Sequence, residues 1–216
     1  EIKTNSYQRA GELEKKCKGE GCKQDEVLLT GLKERIAQSK YSKVLVILHQ
    51  YGSHGPSYNT GYPPRFEVFK PACSSVELNQ CTNQELFNAY DNTILYTDYF
   101  LARTIKMLQT LNSVATLMYI SDHGESLGEY GLYLHGAPFT IAPDVQKNIP
   151  FLVWMAPKFI SAQGIIMQQR ENHSQQNIFH SVMGAMNMRS DIYNEQLDIF
   201  SVMTKNIKLL NKKNSK

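Results

Sequence analysis

No stretch of the 216 residues approaches the ~20 consecutive apolar residues that cross a bilayer, and residue 1 opens no signal peptide, so the chain as it stands reads as soluble. Excess charge of one sign is also missing: 23 Lys and Arg stand against 20 Asp and Glu, a formal +3. So small an imbalance is far below that expected of a dedicated nucleic-acid binder, although it would not oppose an anionic substrate. There is no internal repeat. What is present, 42% hydrophobic residues with 20% charged and 10% aromatic, argues against disorder and suffices for one ordinary globular domain with a single core.

Cysteine is scarce, and the four present fall as two local pairs in polar loops, Cys17 with Cys22 and Cys73 with Cys81. Their clustering favours two sequence-local bridges, each contributing less than the ~3 kcal/mol expected for a fifteen-residue loop. A four-thiolate zinc site is the competing reading, although spacings of five and eight residues are wide for a zinc knuckle, and free surface thiols are the third. Bridges would imply an oxidising compartment such as a periplasm.

Residues 1–24 are polar and read as a loop. Asp25 is expected to cap a short amphipathic helix whose face carries Val27, Leu28, Leu32 and Ile36, with Gly31 tolerated on the way. The continuous run at 44–48 (VLVIL) is what a strand buried on both faces of a parallel sheet should look like. Residues 52–81, rich in Gly, Pro, Ser, Tyr and Asn, are too long for an ordinary connection and read as functional. A long helix is expected over 84–111, a second buried strand at 116–121 (TLMYIS), and a third at 149–155 (IPFLVWM) with Pro150 at its start. The section after Pro157 reads as irregular, and 174–186 as a helix carrying Ile178, Phe179, Val182 and Met186. Strand, helix, strand defines an α/β chain, divided here as a domain over 1–204 and a basic tail over 205–216.

Chemistry concentrates at predicted strand ends, where open α/β sheets bind ligands. The second strand runs into Ser121-Asp122-His123-Gly124-Glu125-Ser126. His49 and His54 follow the first strand in HQYGSHGP, and His135 returns in YLHG after a glycine-rich loop. Imidazoles beside a carboxylate suit Zn²⁺ and also accept Mn²⁺, with zinc preferred here. Any one of these histidines taken singly has an ordinary structural reading; the convergence points to metal. Glu125 and Glu129 are candidates to sit behind the ligands. Asn92, with Tyr90 and Asp91 on the long helix, is a candidate to turn polar atoms toward substrate, the alternative being a solvated helical face. His173 and His180 lie outside the strand-end logic and read as structural.

The segments HQYGSHGPSY, ELFNAYDNTILYTDYF and SDHGESLGEYGLYLHG resemble the catalytic domain of lipid A phosphoethanolamine transferases, the family that includes the mobile colistin-resistance enzymes. The resemblance covers nearly the whole chain. It implies an α/β/α sandwich of the alkaline phosphatase and sulfatase type, incomplete at its N-terminus, facing the periplasm from the inner membrane through an N-terminal domain absent from these residues. By motif, Asp122 and His123 would bind a principal zinc, and His54 and His135 a second zinc or the phosphoethanolamine group, so one or two zinc ions are implied. His49 matches a substrate-pocket histidine, and both cysteine pairs match family disulfides; one further family bridge has no counterpart.

The family's nucleophile is a threonine that also binds zinc together with a glutamate, both upstream of the first matched segment. Thr4 and Thr30 lack its motif, so the fragment alone is expected to be inactive. For an intact enzyme the resemblance implies transfer of phosphoethanolamine from phosphatidylethanolamine, through a phospho-threonine, to lipid A or another envelope acceptor, with His49 or His135 handling the leaving-group proton. No nucleic acid is involved. The alternatives are a sulfatase or phosphoglycerol transferase of the same superfamily, and a non-catalytic, zinc-stabilised module that binds headgroups.

Overall fold

The computed structural model describes residues 8–165 and 172–201. The chain divides into two compact units, one formed by Glu1–Met107 with His123–Asn148 and the other by Leu108–Asp122 with Ile149–Lys216. The proposed tail at 205–216 lies outside the described residues.

In the first unit, residues expected to be loop include a short helix α1 (Ala10–Glu14) and a 3-10 turn over Glu20–Lys23. A Cys17–Cys22 bridge closes this region. The expected helix from Asp25 is broken in two: a 3-10 turn over Asp25–Leu29, then α2 (Leu32–Ala37). Gly31, at φ 68°, is the cause, since it leaves the right-handed helical region and starts a new element. Asp25 caps nothing. Its neighbour Glu26 is buried and receives Arg65 at 3.3 Å and Arg103, while the Glu26 amide donates to Tyr96 Oη at 3.1 Å.

The principal scaffold is α3 (Asn83–Leu111). It starts from a reciprocal cap in which the Glu85 amide donates to Thr82 Oγ1 at 3.3 Å and the Thr82 amide donates to Glu85 Oε2 at 2.8 Å. Its buried face runs through Leu86, Ala89, Thr93, Tyr96, Phe100 and Thr104, a helical spacing, and is more polar than an apolar count suggests. Phe87 and Ile94 on the same helix are exposed. Leu86 and Ala89 meet Tyr58, Leu78 and Leu127 in a core cluster that includes Cys73, bridged to Cys81.

The run at 44–48 forms no ladder among the described residues, and Val44, Leu45, Val46 and Ile47 are exposed. The sequence has strand chemistry there, but burial requires neighbouring backbone to take the strand's amides and carbonyls, and no described strand supplies it.

In the second unit, β1 (Thr116–Ile120) is half-buried throughout, whereas the sequence implied full burial. Two small elements of the first unit follow, β2 (Ser126–Leu127) and β3 (Tyr133–Leu134), and then a single turn α4 (Asp144–Lys147). β4 (Phe151–Met155) pairs with β1 antiparallel, from Thr116 opposite Met155 to Ile120 opposite Phe151. The parallel arrangement expected from the strand pattern is therefore not the one these two strands adopt. Ile120 and Phe151 are partners, so the connection leaves and re-enters at one end and needs no crossover. The section expected to be irregular is helical: α5 (Pro157–Gln163) has Pro at its first position and Gly164 at φ 63° past its end, which are ordinary helix start and stop signals. α6 (Gln176–Ala185) falls where periodicity placed it. Phe159, Ile199 and Phe200 form the core of this unit.

Candidate metal centre

β2 and β3 pair antiparallel with Ser126 opposite Leu134 and Leu127 opposite Tyr133. Extending that register by one residue sets Glu125 opposite His135. The turn between them is tight because Gly128 and Gly131 take φ of 117° and 75°. The same hairpin leads back to His123, and Gly124 is held to the α4 segment by its amide donating to Gln146 O at 3.0 Å. A side chain at 124 would collide with the Val145 carbonyl, so glycine is required there.

His54 arrives from the segment after 44–48. The ligand-capable atoms of His54, His123 and His135 all lie within 4.8 Å of one another. The His123 and His135 rings are 3.7 Å apart, with His54 5.2 Å from His135 and 6.2 Å from His123. Residues separated by up to 81 positions in the chain are thus brought to one point.

Each of the three imidazoles has its Nδ1 beside an oxygen. His54 Nδ1 is 2.7 Å from Gly55 O, His123 Nδ1 is 3.1 Å from Gly124 O, and His135 Nδ1 is 2.8 Å from Glu125 Oε1. A carbonyl or carboxylate only accepts, so these contacts require a proton on every Nδ1 and leave each neutral ring a lone pair at Nε2. That is the tautomer a zinc-binding histidine uses, with its other nitrogen tied to an oxygen behind it. The donor set therefore fits a borderline divalent ion.

Glu125 is buried, and its second oxygen accepts from the Tyr58 hydroxyl at 2.8 Å. Burial, reinforced by the Glu125 charge, pushes the Tyr58 phenol far above its ordinary range, so it remains a donor. Glu129 instead accepts from the Leu127 amide at 2.7 Å and shapes the hairpin turn.

His49 is exposed and is not among the three clustered imidazoles; a positive charge on it would act on Asp25. Asp122 is exposed and belongs to the second unit, where its carbonyl accepts from Gln175 Nε2 at 2.6 Å. Asn92 does not lie on a solvated face. It is fully buried, its Oδ1 accepts from the Val68 and Phe69 amides at 2.9 Å each, and its Nδ2 faces Phe69 O at 3.0 Å and Tyr62 Oη at 3.3 Å. Every polar atom is used to hold the 62–69 loop against α3. His180 is structural, its Nδ1 accepting from the Asn194 amide at 3.0 Å, and His173 packs edge-on against Phe151.

The chain belongs to the sulfatase family, whose sequence model matches residues 3–188. Its relatives are phosphoethanolamine transferases: it is 43% identical over 205 residues to phosphoethanolamine transferase EptA of Helicobacter pylori, covering 92% of this chain and 39% of that protein. It is 45% identical over 129 residues to phosphatidylethanolamine transferase Mcr-1 of Escherichia coli, covering 59% of this chain and 24% of that one. Among solved structures, the soluble domain of lipooligosaccharide phosphoethanolamine transferase A from Neisseria meningitidis superposes with a TM-score of 0.82 at 36% identity, covering 91% of this chain and 61% of that domain. The fold is of the alkaline phosphatase and sulfatase type. The chain spans about two fifths of the length of the Helicobacter pylori relative.

Proposed function

We propose that this chain is part of the periplasmic catalytic domain of a zinc-dependent phosphoethanolamine transferase anchored to the bacterial inner membrane. The donor is phosphatidylethanolamine and the acceptor lipid A or a related envelope molecule. The observation that carries the reading is the cluster of His54, His123 and His135 with all three Nδ1 positions committed to oxygens, set in a chain whose relatives bear transferase names.

Bound zinc polarises phosphoryl oxygens and lowers the pKa of a coordinated hydroxyl. His54, His123 and His135 would hold it, through the Nε2 atoms their Nδ1 contacts leave free. Glu125 keeps the proton on His135 Nδ1, and Tyr58 fixes the Glu125 carboxylate in turn. A histidine of the cluster not engaged by metal would bind the phosphoethanolamine group, and His135 is then placed to exchange the leaving-group proton. Asp122 joins as a ligand of the principal zinc on the resemblance of its motif alone, and His49 remains a pocket residue on the same ground. The threonine that would carry the covalent phosphoethanolamine lies, in this reading, outside these 216 residues.

The test is the mass of lipid A from cells producing the intact enzyme, anchor and upstream segment included. A gain of one phosphoethanolamine that vanishes with His123→Ala is expected. An unchanged spectrum with folded, zinc-loaded protein overturns lipid A as acceptor. Zinc bound without turnover of a fluorescent phosphatidylethanolamine overturns transferase activity in favour of a headgroup-binding module.

A further inference from the structure

We infer that Asp25, a residue remote from the cluster in sequence and outside every motif above, is a positioning residue for His54. Both of its carboxylate oxygens are committed to successive backbone amides of the loop that carries this histidine: Tyr51 N donates to Oδ1 at 2.8 Å and Gly52 N to Oδ2 at 2.9 Å. Gly52 sits at φ 61°, the left-handed conformation, where the chain reverses so that both amides point at one carboxylate. Two residues later the chain delivers His54.

The clamp works because its base does not move independently. Asp25 is 7% exposed and lies in the 3-10 turn whose next residue, Glu26, is bound to α3 by Arg103 and Tyr96. The same helix grips the loop a second time, through a 2.6 Å hydrogen bond between Thr93 Oγ1 and Ser53 Oγ. Tyr51, Gly52 and Ser53 are therefore held from two sides by groups referred to one scaffold, and His54 follows directly. A charged acceptor on two amides is stronger and more directional than a neutral one, and only a carboxylate offers two equivalent oxygens at this spacing. An Asp buried for packing alone would be poorly chosen: burial raises its pKa above the usual carboxylate value even with both amides and His49 opposing the shift. The return for that cost is a fixed loop.

This inference rests on the metal reading of the cluster, and the experiment separates the two. In the intact protein, Zn²⁺ affinity is measured by chelator competition and Co²⁺ absorption is recorded for wild type, Asp25→Asn, Asp25→Ala and Asp25→Glu, alongside amide hydrogen exchange. Asp25→Asn replaces one acceptor with an NH₂ that faces a backbone donor. It is expected to weaken metal binding about tenfold to a hundredfold, the range for partners behind a ligand. It should also alter the Co²⁺ band and release exchange protection at 50–54 while the rest of the first unit stays protected. Asp25→Glu should restore part of the loss. Wild-type protein that binds no metal overturns the metal reading and leaves the exchange result to judge the clamp. Variants with wild-type affinity and protection overturn the positioning role. Protection lost across the whole unit in both Asn and Ala variants does the same, by making Asp25 a folding residue only.

Discussion

Glu125 Oε1 lies 2.8 Å from His135 Nδ1 because the β2–β3 register sets residue 125 opposite residue 135. A buried carboxylate thereby selects the tautomer of a half-exposed imidazole, and the Tyr58 hydroxyl selects the orientation of the carboxylate. The chain of contacts also joins the loop bearing His54 to the hairpin bearing His123 and His135, since Tyr58 belongs to the former.

Glu125→Gln is expected to keep the fold and lower Zn²⁺ affinity about tenfold to a hundredfold, because an amide can accept from Nδ1 only at a neutral oxygen and must then place its NH₂ against Tyr58. Chelator competition measures this. Tyr58→Phe should weaken binding in the same direction by a smaller factor; equal affinities in all three proteins would contradict the relay.

Asn92→Ala should destabilise the first unit by on the order of 2–3 kcal/mol, since the buried amides of Val68 and Phe69 lose their acceptor. Urea unfolding reports the loss. Zinc affinity of the folded protein should be unchanged, and a selective loss of substrate binding with full stability would restore Asn92 to the site.

Replacing Cys73 and Cys81 together by serine should lower stability by on the order of 2 kcal/mol, as the bridge closes a loop of eight residues' separation. Cys73 is also buried in the core beside Leu78 and Leu86, so the serine there adds a polar cost. The shift appears in the urea midpoint; a variant as stable as wild type would show that the loop is ordered by packing alone.

Asp198 supplies a pH signature in the second unit. Burial pushes its carboxyl above the ordinary range, with hydrogen bonds from Tyr193 and from the Phe200 and Ser201 amides opposing. A carboxyl whose folded pKa is raised gives a stability contribution present below its unfolded value of ~3.9 and lost as pH rises through the folded value. Wild type should therefore gain stability relative to Asp198→Asn as pH falls from neutral toward 4, read from thermal midpoints. A difference that stays constant or moves the other way would contradict the raised pKa.

Local rules found the elements whose signals are local. The periodicity over 84–111 and 174–186 matches α3 and α6, and the aliphatic runs at 116–121 and 149–155 match β1 and β4. The ends of α5 are legible too, in Pro157 and Gly164, within the section that reads as irregular from sequence. The run at 44–48 shows the converse: a strand's composition without the neighbouring backbone that would make it one.

The histidines were legible as residue types at strand ends, and the cysteine pairs as nearby partners. The convergence of the histidines on one point was expected from the strand ends, and the structure brings His54, His123 and His135 together; the distances at which they meet were not legible.

By itself the sequence determined which chemistries are available, because imidazole, thiol and carboxylate are properties of side chains, and which short segments form helices, because those contacts span a few residues. Only the tertiary structure decided which of those groups act together. Asp25 meets Tyr51 and Gly52, Glu125 meets His135, and Asn92 is consumed by the 62–69 loop through hydrogen bonds that form only after distant segments have packed, since a carboxylate or amide has no preference for a distant donor until the chain brings it within reach.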